Sequence, residues 1–340
     1  MEEDRSEPVG MWIEAFSAGK NPAAPEANED RFVVLPGRAY AVIDGVTDRA
    51  GVSYDGRTSG RIAAELIQST LELLLCDTTA DPDPLELIQT LSDEIASAYR
   101  RHGLLERAAV EPNLRFGATL ALFRHRPDCD ELVLVGDSGI RLDGKSLYQV
   151  EKPLDAITAS LRIAAWRVLE QRTGDIATLT RLGRQIVFHG ATQGSDHLEG
   201  LLDAADLAGI ANAAAAHSAS LFPDLPLEAI TSLIAGGIVN GQFPHQNSAT
   251  SSLGYSCIDG FEIPPKLITA VRLPRGSTST VELFSDGYFS QPDGFGVATW
   301  ENAADAVERI DPFKVGRYPS VKGSHGALRT DDRTYVGVRR

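Results

Sequence analysis

A chain of 340 residues, 43% of them hydrophobic, can bury a substantial core, which excludes a disordered tract. Its 47 Asp and Glu against 32 Lys and Arg leave a formal charge of -15, a field that disfavours nucleic acid and anionic membrane surfaces as partners. Cys76, Cys129 and Cys257 are too far apart for a zinc motif or a disulfide frame, and Met1-Glu2-Glu3-Asp4-Arg5 lacks the basic and apolar regions of an export signal, so a cytoplasmic setting is expected.

In chain order, Met11 to Ser17 reads as a strand, followed by a polar loop over Ala18 to Ala27. Arg31 to Leu35 and Ala39 to Ile43, joined at Pro36-Gly37, read as a hairpin with acids at one end. Gly60 to Cys76 and Pro84 to His102 carry apolar residues at helical spacing, with Asp81 or Asp83 as the cap of the second helix. Phe116 to Arg124 and Glu131 to Val135 predict an antiparallel pair. Ile140 to Leu142 and Leu147 to Val150 are expected to continue that meander across Asp143-Gly144.

From about 155 to 247 the chain is rich in Ala and Leu, predicted helical in its first part, and carries no acid at a strand end. Strands resume with Lys266 to Leu273 and Thr278 to Phe284. A helix at Asn302 to Ile310, a loop rich in Gly and basic residues, and a last strand at Thr334 to Val338 complete the chain. This order predicts an α+β sandwich with sheets inside and helices outside, in a single domain over 1–340 with a helical insertion or elaborated flap at about 155–247.

The acids fall into short motifs: Asn28-Glu29-Asp30-Arg31, Asp44-Gly45, Gly136-Asp137-Ser138, Ser285-Asp286-Gly287 and Asp331-Asp332-Arg333-Thr334. Tyr40 to Ile43 runs into Asp44, Glu131 to Val135 into Gly136-Asp137, and Val281 to Phe284 into Ser285-Asp286. Carboxylates at the ends of buried strands are costly unless cations or hydrogen bonds compensate them. An all-oxygen set of this kind suits a hard divalent ion rather than zinc. The seven histidines show no ligand-like spacing, and no glycine motif fits a P-loop or a dinucleotide fold.

Taken together and in this order, the motifs resemble those of the PPM (type-2C) metal-dependent serine/threonine phosphatases, from roughly Met11 to Arg339. The resemblance implies a four-layer α-β-β-α sandwich with two central antiparallel sheets. It also implies hydrolysis of phosphoserine and phosphothreonine in proteins by direct attack of a water bridging two tightly held Mn²⁺ or Mg²⁺ ions. By the same resemblance Asp44 bridges the ions and the Gly45 carbonyl binds one of them. Asp286 and Asp331 complete the first ion's ligands, Glu29 holds the second through water with Asp30 in support, and Asp137 joins Asp286 on a third, weaker ion. Asp332 is expected behind the ligands, and Ser138 and Ser285 are expected to orient backbone.

The chain departs from the family at two places. The arginine that often precedes the Glu-Asp pair and grips phosphate is missing, leaving Lys20, Arg31, Arg49 and Arg57 as candidates for that role. Val46-Thr47-Asp48 stands where many members have His followed by two glycines, so no histidine is in place as a general acid. Two alternatives stay open: a weakly active regulatory or binding module that keeps the fold, and a phosphatase of a small phosphorylated metabolite.

Overall fold

The computed structural model describes residues 10–48, 50–77, 79–192, 198 and 200–340. Arg49, His197 and the Met1 to Arg5 segment, about which the sequence raised expectations, lie outside the described residues. Strand β1 (Trp12–Ala18) pairs antiparallel with β10 (Arg333–Arg339), the last strand, so the two ends of the described chain lie side by side. Their sheet continues through β9 (Thr280–Phe284), β6 (Gly139–Leu142) and β7 (Ser146–Tyr148). A second antiparallel sheet runs β2 (Arg31–Leu35), β3 (Ala39–Gly45), β4 (Ala118–His125), β5 (Cys129–Val135) and β8 (Thr269–Pro274).

Strand alternation decides which residues fill which layer. Tyr40 and Val42 on β3 point between the sheets, where they pack with Phe123, Leu132, Val281, Leu283, Val336 and Val338. Ala41 and Ile43, one residue out of phase, face the helices α1 (Ser59–Cys76) and α2 (Pro84–Arg101) instead. The first sheet is covered on its outer face by α8 (Val297–Ile310), whose Trp300 is fully buried against Phe284 and Tyr335. The fold is therefore an α+β sandwich of four layers, α-β-β-α.

Local chemistry starts the helices where the sequence predicts. Asp83 accepts from the backbone N–H groups of Leu85 and Glu86, and Glu86 reaches back to Asp83 N–H, a capping box of the kind that contributes about 1 kcal/mol. Thr58 caps α1 by accepting from Arg61 N–H.

Three expectations need correction. The β6–β7 hairpin does not continue the β4–β5 meander, because the chain crosses to the other sheet at Gly136-Asp137-Ser138 and β6 pairs with β9. A short helix, α3 (Leu105–Val110), was not foreseen. The segment after β7 is helical well beyond its first part, with α4 (Pro153–Leu169), α5 (Ile176–His189), α6 (Ala204–Leu221), α7 (Leu227–Gly236) and a π turn at Gly237–Gly241. These helices bury their own apolar core around Leu161, Leu182, Ile210 and Leu233, which also takes in Val46 and Cys257 from the sandwich. Among the described residues no helix is long and apolar enough to cross a membrane.

Candidate active site

The strand ends of both sheets meet at one edge of the sandwich. Asp44 is the next-to-last residue of β3, Asp286 follows β9 by two residues, and Asp331 precedes β10. Asp137 occupies the crossover between β5 and β6. These four carboxylates line a single cavity of about 600 Å³. Glu29 and Asp30, just ahead of β2, lie buried behind them, 3% and 1% exposed.

Close backbone approaches fix this arrangement. Gly45 lies against the first turn of α1, and a Cβ there would stand 2.6 Å from the Gly60 carbonyl oxygen. Gly136 adopts φ +82 against Thr119, so the turn presenting Asp137 requires a residue without a side chain. Thr119, paired across the sheet with Asp44, shares a 2.7 Å hydrogen bond with Ser138. Ser285 accepts from Thr334 N–H at 2.9 Å and so ties the ends of β9 and β10 together. Both serines thus hold backbone and neighbours in register.

Three ammonium groups enter the carboxylate cluster. Lys322 Nζ lies 2.6 and 2.8 Å from the two oxygens of Asp331 and 3.1 Å from Thr47 Oγ1. Lys152 Nζ lies 2.7 Å from Asp137 and 3.2 Å from Asp155, over the ring of Tyr255. Lys20 Nζ lies 3.1 Å from Glu29 and 3.2 Å from Asp332, while its backbone N–H donates to Asp332 at 2.6 Å. Asp332 also accepts from Glu29 N–H at 3.2 Å, and in this way it joins the β1–β2 loop to the start of β10.

The electrostatics divide the acids into two groups. Burial pushes Asp44 well above the ordinary carboxylate range, and the charge of Asp30 adds to the effect. Asp286 is raised in the same way, by burial and then by Asp44. Burial and then Asp332 raise Asp30 to about 8, and burial also raises Glu29 in spite of Lys20. Asp331 is the exception. Burial alone would raise it, but the ammoniums of Lys322 and Lys20 outweigh burial and hold it below its usual value. Burial opposes the charge on Lys152, yet Asp137, Asp155 and Asp286 raise it well above the normal lysine range.

A hard divalent ion fits this donor set. Glu29, Asp30, Asp44, Asp137, Asp286, Asp331 and Asp332 offer only oxygen and outnumber the ammoniums of Lys20, Lys152 and Lys322. One oxygen of Glu29 and both oxygens of Asp30 are buried without a hydrogen-bond partner, an arrangement that a cation or its water shell would relieve. Among the described residues no three carboxylate, histidine or cysteine groups already close around a common point. Ion binding at Asp137 and Asp331 would therefore require Lys152 and Lys322 to give way.

Of the three described cations proposed from sequence to meet phosphate, Lys20, Arg31 and Arg57, Lys20 alone reaches the acids. Arg31 pairs with Glu65 of α1 at 2.7 Å and Arg57 with the same carboxylate at 3.0 Å, which commits both to the helix surface. Lys152 and Lys322 were not singled out by the sequence reading. Lys152 stands beside a proline at a helix start, and Lys322 belongs to the basic loop before β10. Neither position carries a motif.

No protein-family model matches the chain, and no curated protein sequence matches it. Solved structures do match. The Mycobacterium tuberculosis serine/threonine phosphatase PstP/Ppp is 19% identical, with 97% of this chain and 98% of that chain covered and a TM-score of 0.40. Staphylococcus aureus serine/threonine phosphatase Stp1 is 11% identical, covering 100% and 99%, with a TM-score of 0.44. PppA, a regulatory component of the Pseudomonas aeruginosa T6SS, is 14% identical, covering 97% of each chain, with a TM-score of 0.40. Likeness at this level says nothing of residues or chemistry, which have to be read from the site. In the order of its acidic motifs the chain resembles the PPM (type-2C) serine/threonine phosphatases.

Proposed function

We propose that this chain is a single-domain, divalent-metal-dependent phosphatase that hydrolyses phosphoserine and phosphothreonine in proteins. The observation that carries the reading is the convergence of Asp44, Asp137, Asp286 and Asp331, from the strand ends of two sheets, on one cavity. Two of these acids are held well above the ordinary carboxylate range, Asp44 by burial and then Asp30, Asp286 by burial and then Asp44, a state that a bound cation would reverse. Asp44, Asp286 and Asp331, with the Gly45 carbonyl, would hold one ion, and Asp44 with Glu29, supported by Asp30, the other. Mn²⁺ or Mg²⁺ bound there supplies an activated water and neutralises charge on a phosphoryl group. A manganese complex is known for the catalytic domain of PstP, which is 17% identical to this chain.

The chain's own residues would then divide the work as follows. Lys322 and Lys152, which line the cavity, would on release from Asp331 and Asp137 bind and orient the phosphate. Lys20 would remain behind Glu29 and Asp332 and keep the β1–β2 loop in place. Ser138 and Ser285 would fix the carboxylate-bearing turns without reacting, since among the described residues no histidine hydrogen-bonds either hydroxyl.

One observation favours a second reading, a phosphatase-like binding module of low activity. The ammoniums already bonded to Asp137 and Asp331 could serve as permanent substitutes for metal charge. Hydrolysis of p-nitrophenyl phosphate separates the two readings. Turnover that appears with Mn²⁺ or Mg²⁺ and vanishes in EDTA supports the enzyme, and its absence under every metal condition supports the module.

A further inference from the structure

The cavity that receives the four carboxylates does not end with them. Its far wall is built by the helical segment, from Ile163 on α4, Phe188 on α5, Leu221 and Phe222 at the end of α6 and Ile238 in the π turn, with Phe289 completing it from the loop after β9. The cavity is thus polar and charged at one end and mainly apolar at the other, where His217 and Gln242 stand among the apolar side chains. Among the described residues, Lys152 and Lys322 are the lysines that line it, and both are bonded to acids at the polar end.

Resting on the phosphatase reading, we infer that this apolar wall is a subsite for a bulky apolar side chain next to the phosphorylated residue of a peptide substrate. The volume, about 600 Å³, accommodates a phosphorylated side chain and a few neighbouring residues and falls within the range of ligand pockets. The wall also runs out to solvent, since Leu221 is 49% exposed at its rim. A pocket for a free small molecule would bury its apolar end, whereas an occupant that continues past the rim is a chain. Charge gives the selectivity its sign. An acidic neighbour of the phosphoresidue would lie among Asp155, Glu151 and apolar carbon, where His217 is the one further basic group among the described lining residues, while an apolar neighbour would cover Phe188, Phe222 and Ile238.

The test compares kcat/KM for three phosphoserine peptides of equal length, flanked by Leu and Phe, by Ala, or by Asp, with p-nitrophenyl phosphate as a substrate that has no flanking residues. The expected order is apolar over Ala over Asp, spanning about tenfold or more. Leu221→Glu, at an exposed position, should cut the preference for the apolar over the Ala peptide about fivefold while leaving p-nitrophenyl phosphate turnover unchanged. Equal rates on the three peptides, or a preference that Leu221→Glu does not alter, would overturn the inference and leave the phosphatase reading standing. A free apolar phosphomonoester favoured over every peptide would overturn it as well. Failure to hydrolyse p-nitrophenyl phosphate with any metal removes the phosphatase reading, and this inference with it.

Discussion

Arg162 of α4, 2% exposed, donates a 2.6 Å hydrogen bond to the carbonyl oxygen of Phe313, in the loop that leads to Lys322. The same guanidinium nitrogen reaches the carbonyls of Lys314 and Ser320, and the ring of Trp166 stacks on Phe313 at 5.0 Å. The helical segment therefore supports the loop that brings a cation to the carboxylates, besides walling the cavity.

Replacing Arg162 by Met takes the side-chain donor from the part-buried carbonyls of Phe313 and Ser320, while that of Lys314 keeps its bond from Ser320 N–H. Each buried acceptor left unpaired costs about 1–3 kcal/mol, so Tm should drop by about 4–8 °C. Hydrogen exchange should quicken across the loop from Asp311 to Lys322, with KM for p-nitrophenyl phosphate raised more than kcat is lowered. Unchanged exchange in the loop would show that Arg162 does not hold it.

Asp44→Asn and Asp286→Asn should each abolish most p-nitrophenyl phosphate turnover, by at least about a hundredfold, because each removes charge from the proposed ion site. In EDTA both variants should melt no lower than wild type, since burial and neighbouring acids already disfavour the charged forms. Asp331→Asn should lose activity too but also melt lower, because it takes the carboxylate partner from Lys322. Thermal melts in EDTA beside activity with Mn²⁺ distinguish the two patterns.

On the proposed reading Lys322 and a divalent ion would compete for Asp331, and Lys152 and a further ion for Asp137. Lys322→Gln should tighten Mn²⁺ binding by about fivefold to tenfold in calorimetry, the scale of a charge-assisted hydrogen bond released. It should lower the melting temperature of the metal-free protein at the same time. Lys152→Gln should expose Asp137 to a further, weaker ion that wild type binds poorly. Identical Mn²⁺ isotherms for wild type and both variants would contradict this competition.

Asp30 sets a pH dependence. Burial and Asp332 raise its folded value to about 8, whereas the unfolded chain ionises at the usual carboxylate value. Between these values the folded state holds a proton that the unfolded state has lost, so metal-free stability falls as pH rises toward 8. Asp30→Asn should flatten that slope and raise Tm in EDTA at pH 8 by about 2–5 °C. Saturating Mn²⁺ should reverse the wild-type trend, as ionised carboxylates bind the ion better. A wild-type melting temperature that climbs with pH in EDTA would count against the assignment.

Much of this architecture was legible in the sequence because strand ends and acids coincide. Tyr40 to Ile43 alternates between two buried faces and then stops at Asp44-Gly45, a pattern that marks both the strand and the site. The crossing of β6 into the other sheet was not legible, since Asp143-Gly144 marks a turn without saying which sheet its strands join. The lysines escaped notice for a related reason. Lys152 and Lys322 reach the acids only through tertiary packing, across sequence separations of 15 and 9 residues that carry no periodic signal. Arg31 and Arg57 were plausible phosphate ligands by proximity in sequence, but Glu65 on α1 claims both.

The most direct measurement is the rate of p-nitrophenyl phosphate hydrolysis as Mn²⁺ is titrated into EDTA-stripped protein, with Asp286→Asn run in parallel. The account predicts no turnover before metal is added, a saturable rise with Mn²⁺, and a flat line for the variant. Turnover that persists in EDTA, or that Asp286→Asn retains in full, would contradict it.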